Sequence, residues 1–326
     1  MDGLRAFGRI GAAALIAIAI ATPAAAQSLP DKPIRVIVPF AAGGPVDVMA
    51  RLVSQPLAKI LGQPIVIENR GGASGAIGSK LVAAADPDGT TLLCGNISSF
   101  IVQPVMTNNR DFDLTKAFVP VARLSQNVEV LAVHPDFPAS SVKELVAYAK
   151  ANPGKLNYGS GGIGNISQLA AELFRLRTGI DIVHVPYKGA SEVFTAILGG
   201  QVQMYFGDIG GMLPLIREGR LKALALSGTT RTRELPDLPT MMESGVPDYE
   251  VLTFIGVMAP VGTPPAIVAS LNAAINEALQ TSEVTATAAK LNADVRPASA
   301  QEFGAFLARE HVKWSEAVRL SGIKAE

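Results

Sequence analysis

Two glycine-rich stretches have residue types that let a backbone hold an anion. The first is Phe40-Ala41-Ala42-Gly43-Gly44-Pro45-Val46-Asp47; the second is Gly159-Ser160-Gly161-Gly162-Ile163-Gly164-Asn165. Each stands between a strand pattern and a helix start. Glycine lets the main chain approach a ligand and turn its N–H groups inward. A helix start adds unpaired N–H donors and partial positive charge. Such a site suits a carboxylate or another anion without needing Lys or Arg. The same glycines also serve plain tight turns, so the pattern alone leaves both readings open.

Other chemistry has weaker support. Gly159, Gly161 and Gly164 formally match the dinucleotide pattern G-x-G-x-x-G, but the preceding strand is short and Asp181 falls before the next strand, not at its end. Gly72-Ala73-Ser74-Gly75-Ala76 narrowly misses the G-x-S-x-G of a serine hydrolase. Its triad partners would have to come from His134, His184 and His311, and chain order argues for none of them. His184 reads as a satisfied core or edge histidine, His134 as a turn residue before Pro135, and His311 as a solvated helix position. One Cys and three His leave no Cys-based zinc cluster and little scope for a His-rich metal site. Cys94, within Thr91-Leu92-Leu93-Cys94, reads as a buried thiol.

The elements that must position these loops alternate. Strand patterns at Ile34–Phe40, Pro64–Glu68 and Thr90–Cys94 enclose helices over Pro45–Leu61 and Ala76–Ala85, with Pro56 a candidate kink. This βαβαβ unit predicts parallel strands and right-handed crossovers. A second series has strands at Val128–Val133, Leu156–Tyr158, Ile182–Tyr187, Val202–Phe206 and Leu221–Leu226. Its helices lie near Ser141–Ala151, Gln168–Arg177, Ser191–Leu198 and Met212–Glu218. A strand at Val251–Ala259 and terminal helices close the chain, the last capped by Ser299 and Glu302.

The chain ahead of these elements reads as an export signal. Arg5 and Arg9 precede an apolar run from Ile10 to Ala21, and Ala24-Ala25-Ala26 precedes Gln27. The run is short of the roughly 20 residues a membrane span needs, so cleavage near Ala26/Gln27 and a periplasmic location are expected. With 326 residues, 48% hydrophobic and 17% charged, the chain supports two packed domains and excludes general disorder. Lys+Arg and Asp+Glu balance at 28 each, so there is no bulk attraction for nucleic acid.

Several motifs in order resemble a known family. They are Pro33-Ile34-Arg35-Val36-Ile37-Val38-Pro39-Phe40-Ala41-Ala42-Gly43-Gly44, with Asp47 and Ala50-Arg51; Leu61-Gly62-Gln63-Pro64, with Glu68-Asn69-Arg70; Asp86-Pro87-Asp88-Gly89-Thr90-Thr91-Leu92-Leu93; Leu156-Asn157-Tyr158-Gly159-Ser160; His184-Val185-Pro186-Tyr187-Lys188-Gly189; Leu235-Pro236-Asp237-Leu238-Pro239-Thr240; and Ala259-Pro260-Val261-Gly262-Thr263-Pro264. From about Lys32 to Ser321 the chain resembles the Bug-type periplasmic solute-binding proteins of tripartite tricarboxylate transporters.

The resemblance implies an α/β, two-domain periplasmic binding protein type II fold with a ligand cleft between the domains. Domain I would be residues 27–124 plus 250–326, and domain II residues 125–249. It implies capture of a small carboxylate between the first β–α loop and the middle domain's glycine loop, then delivery to the membrane permease subunits. No catalysis, cofactor or metal is expected, and the protein is expected to be a monomer that does not bind nucleic acid. A sensing subunit for a membrane histidine kinase and an exported serine hydrolase are the alternatives. The expected ligand-binding residues are Phe40, Ala41, Gly43, Gly44, Asp47, Ser160, Gly162, Gly164, Asn165, Tyr187, Lys188 and Asp208. Some positions stay open. Asp47 reads as a helix-dipole partner or a ligand contact. Lys188 reads as a partner for a distal carboxylate or a solvated side chain, and Tyr187 as an amphipathic wall. Asp208 reads as an acceptor for a ligand amine or hydroxyl, or as a helix cap. Gln168 stands where the family usually has His, and Gly207-Asp208 where it commonly has Asp-Asn.

Overall fold

The structure, a computed structural model, describes residues 29–72, 75–107 and 114–323. The export segment and Ser74 lie outside the described residues. The strands are β1 (Ile34–Val38), β2 (Ile65–Asn69), β3 (Thr91–Asn96), β4 (Phe118–Val133), β5 (Leu156–Ser160), β6 (Ile182–Pro186), β7 (Met204–Asp208), β8 (Lys222–Leu226), β9 (Leu252–Pro260) and β10 (Asp294–Val295). The helices are α1 (Pro45–Leu61), α2 (Ala76–Ala83), α3 (Gln103–Thr107), α4 (Leu114–Ala117), α5 (Val142–Ala151), α6 (Ile166–Thr178), α7 (Ala190–Leu198), α8 (Ile209–Arg217), α9 (Pro265–Leu279), α10 (Ser282–Lys290) and α11 (Ala300–Ser321).

The sheet runs in the order β2-β1-β3-β9-β4-β7-β5-β6, with β10 and β8 also on β4. β1 is parallel to β2 and β3, and β5 is parallel to β6 and β7, as βαβ units require. Between these groups the strands run antiparallel. β4 pairs with β9 from Phe118↔Pro260 to Val128↔Leu252, and from Glu129 onward with β7 and β8. The strand expected over Val128–Val133 is therefore only the end of a 16-residue strand, not the start of a second parallel series. Pro120 interrupts the strand pattern in the sequence. The structure takes it up at a register shift between Pro120 and Ala122, one of the few places where a sheet tolerates proline.

Helix α1 follows its sequence signals. Pro45 opens it, Gly62 closes it at φ 68°, and it runs on through Pro56. Val46, Met49, Ala50, Val53 and Leu57, at spacings of three and four, face a core shared with β1, β3 and α9. Ser299 and Glu302 form the reciprocal cap of α11, whose Phe303, Phe306 and Trp314 are buried. Cys94 is fully buried and burial pushes its thiol up to about 12. No helix among the described residues is long and apolar enough to cross a membrane.

Candidate ligand-binding cleft

A cavity of about 520 Å³ lies where the two strand groups meet. Gly43, Val46 and Met49 bound it at the start of α1, Asn96 at the end of β3 and Ser98 just beyond it, and Asn165 and Ser167 at the start of α6. Tyr205 and Asp208 come from β7, Ser125, Asn127 and Glu129 from β4, and Thr253 from β9. Among the described residues its lining includes no Lys, Arg or His. This is the place where open α/β sheets collect ligands, beyond the carboxyl ends of parallel strands.

The first glycine loop is braced from beneath. Asp47 is 2% exposed. Its carboxylate accepts from the Gly43 N–H at 2.8 Å, from Arg51 Nε at 3.0 Å and from Asn69 Nδ2 at 2.9 Å. The Arg51 bond, with help from Gly43 and Asn69, outweighs burial and holds the carboxyl at about 2. Asp47 thus fixes the loop from below, and its side chain is not among those lining the cavity. Gly43 sits at φ 81°, a conformation β-branched residues resist. Gly44 has no side chain with which to cap α1. The leading N–H groups of α1, at Val46 and Asp47, have no acceptor among the described residues.

The second loop is closed upon itself by a chain of hydrogen bonds. The Gly164 N–H donates to Gln168 Oε1 at 2.7 Å. Gln168 Nε2 lies 3.2 Å from His184 Nδ1, and His184 Nε2 lies 2.6 Å from Ser160 Oγ. With its oxygen occupied, the Gln168 amide presents N–H to His184. Nδ1 is then the acceptor, and Nε2–H donates to Ser160. Ser160 Oγ in turn donates to the Gly162 carbonyl and accepts the Gly162 N–H. A histidine that donates to a serine cannot serve as its base, so this Ser–His contact is structural. Burial lowers the His184 pKa, which keeps the ring neutral. The Gly161 N–H is taken by Ser167 Oγ, and Asn165 caps α6 through Ser167.

Of the residues expected at the site, Gly43, Asn165 and Asp208 line the cavity. Asp208 caps α8 through the Gly210 N–H at 2.8 Å and accepts from Asn127 at 3.0 Å. Ser160, Gly162 and Gly164 form the closed loop behind the wall. Their N–H groups at Gly162 and Gly164, like that of Gly43, are bonded within the protein. Tyr187 donates its N–H to the Ser160 carbonyl and packs on the core of the β7 side. Lys188 is exposed, its N–H bonded to Glu192. Phe40 accepts Asn69 through its carbonyl, and Ala41 accepts Gly44. Gly207 leaves room for the Tyr205 ring, since a Cβ there would collide with Tyr205 Cε1.

Sequence reasoning missed the cleft floor: Asn96, Ser98, Ser125, Asn127, Glu129 and Thr253. The available signal was a lone Glu between Val128 and Val130 in an otherwise apolar run.

Comparison with known proteins agrees with this architecture. The profile of the tripartite tricarboxylate transporter family receptor matches residues 49–323. Protein BugT of Bordetella pertussis is 37% identical over 306 residues, 94% of each chain. MatC from Rhodopseudomonas palustris with bound malate shares 34% identity at a TM-score of 0.74, over 89% of this chain and 99% of that one. The periplasmic binding protein BugD shares 32% identity at a TM-score of 0.73, over 91% of this chain and 100% of that one. The chain therefore belongs to the tripartite tricarboxylate transporter receptor family, the periplasmic solute-binding proteins of Bug type, and has their two-domain α/β fold.

Proposed function

We propose that the cleft captures a small carboxylate, which the protein, exported and cleaved near Ala26/Gln27, delivers as a monomer to permease subunits of a tripartite tricarboxylate-type transporter. The observation that carries this is the start of α1, with no side-chain cap, opening into a cavity whose lining among the described residues holds no basic side chain. Backbone N–H donors and the helix dipole then supply the anion contact at Val46 and Asp47, with Asn96, Ser98 and Thr253 as polar neighbours. The malate bound to MatC supports a ligand of this class. The proposed domains are residues 27–124 plus 250–326 and residues 125–249, and the change of partner along β4 from β9 to β7 supports a division within that strand. β4 and the segment entering β9 are the crossings. A thermal-shift screen of mono-, di- and tricarboxylates tests the reading. A binder at about 100 times its dissociation constant adds roughly 2.7 kcal/mol of stability. If no small carboxylate shifts the transition, the proposal fails.

A further inference from the structure

Much of the cleft wall that solvent reaches is apolar. Val48 on α1, Ile166 on α6, Ile255 on β9 and Ala293 ahead of β10 line the cavity and keep part of their surface open. Leu291, just past the end of α10, lines it too and is 45% exposed. A single exposed leucine is ordinary, but these residues come from separate segments and surround one cavity. Apolar surface gathered in this way marks a binding site. Leu291 stands where the two halves approach, since a Cβ on Gly210 of α8 would lie 3.1 Å from its carbonyl oxygen.

Several polar side chains of the lining are already bonded within the protein. Asn127 donates to Asp208, and its oxygen accepts the Asp294 N–H, both at 3.0 Å. The Asn165 oxygen accepts from Ser167, and the Asn96 oxygen accepts the Ser98 N–H at 3.1 Å. The charged side chains of the lining among the described residues are Glu129 and Asp208, both acidic. A second carboxylate or a row of hydroxyls would give up water there and regain little. We propose that the cleft selects acids with an apolar body, and that Leu291 is a specificity-determining residue which that body covers. The inference rests on reading the cleft as a carboxylate site. It assigns the rest of such a ligand: carboxylate at the start of α1, and a hydrocarbon chain or ring against Val48, Ile255 and Leu291. A cavity of about 520 Å³ has space for a ring beside the carboxylate. Binding then takes the hydrocarbon and the open face of Leu291 out of water together, a gain that grows with the area covered.

The test is calorimetric titration with matched acids: hexanoate against adipate, and cyclohexanecarboxylate against its polyhydroxylated counterpart quinate. In the pair that fits the cleft, the apolar acid should bind at least about tenfold more tightly than its polar partner. Leu291→Asn should cut that ratio about fivefold, the effect expected from losing a partly covered leucine. Val48→Thr, which keeps the side-chain shape, is the second variant and should also lower the ratio. Circular dichroism checks that each variant folds. A polar acid that binds as tightly as its apolar partner, or a ratio unchanged in both variants, would overturn the inference. If no acid of any kind binds, the carboxylate reading fails and this inference falls with it. If acids bind without an apolar preference, only this inference falls.

Discussion

Gln168 Nε2 lies 3.2 Å from His184 Nδ1 and donates to it, because the Gln168 oxygen is already taken by the Gly164 N–H at 2.7 Å. One amide thus sets the tautomer of a histidine and the shape of a glycine loop at once.

Replacing it should therefore do two things. Gln168→Ala leaves the buried Gly164 N–H without an acceptor, which should cost about 1–3 kcal/mol in urea unfolding. Gln168→Glu offers His184 Nδ1 an acceptor in place of a donor. Nitrogen NMR of the imidazole should show the Nε2–H form in the wild type and the Nδ1–H form in this variant. Wild-type protein in the Nδ1–H form would refute the network.

Asp47 gives a pH signature. Its folded pKa of about 2 lies below the ordinary 3.8, chiefly through Arg51. A depressed carboxyl stabilises the fold above its unfolded pKa, and loses that contribution as pH falls through the folded one. The shift is worth about 2 kcal/mol for this buried side chain. Wild type should exceed Asp47→Asn by about that much at neutral pH, and urea titrations should show the gap closing between about pH 4 and pH 2. A gap that stays constant with pH would contradict the ionised brace.

These two residues also show how far the sequence could be read. Pro45, Asp47 and Gly62 announced α1, and Ser299 with Glu302 announced the start of α11, because caps and helix-dipole partners act within one turn. The glycine loops were visible for the same local reason. What those loops bond to was not, since Gln168–His184 and Arg51–Asn69 meet only after distant segments pack. The cleft floor was hidden for a related reason. β4 reads as a strand only from Val128, so Ser125 and Asn127 had no face to be assigned to.

β4 and the segment entering β9 carry the chain between the two halves, which suggests a hinge that closes on a bound ligand. Small-angle scattering should give a smaller radius of gyration with a saturating carboxylate than without. An unchanged profile at saturation would count against closure.

The proposed function requires a carboxylate held in this cavity. Ala190, exposed at the start of α7, lines the cavity outside the buried core. Calorimetric titration of a carboxylate and its primary amide, into wild type and Ala190→Trp, addresses the claim most directly. The carboxylate should bind wild type, the amide should bind at least about tenfold more weakly, and the bulky side chain should abolish binding. Equal affinity for acid and amide, or undiminished binding of the acid to Ala190→Trp, would contradict it.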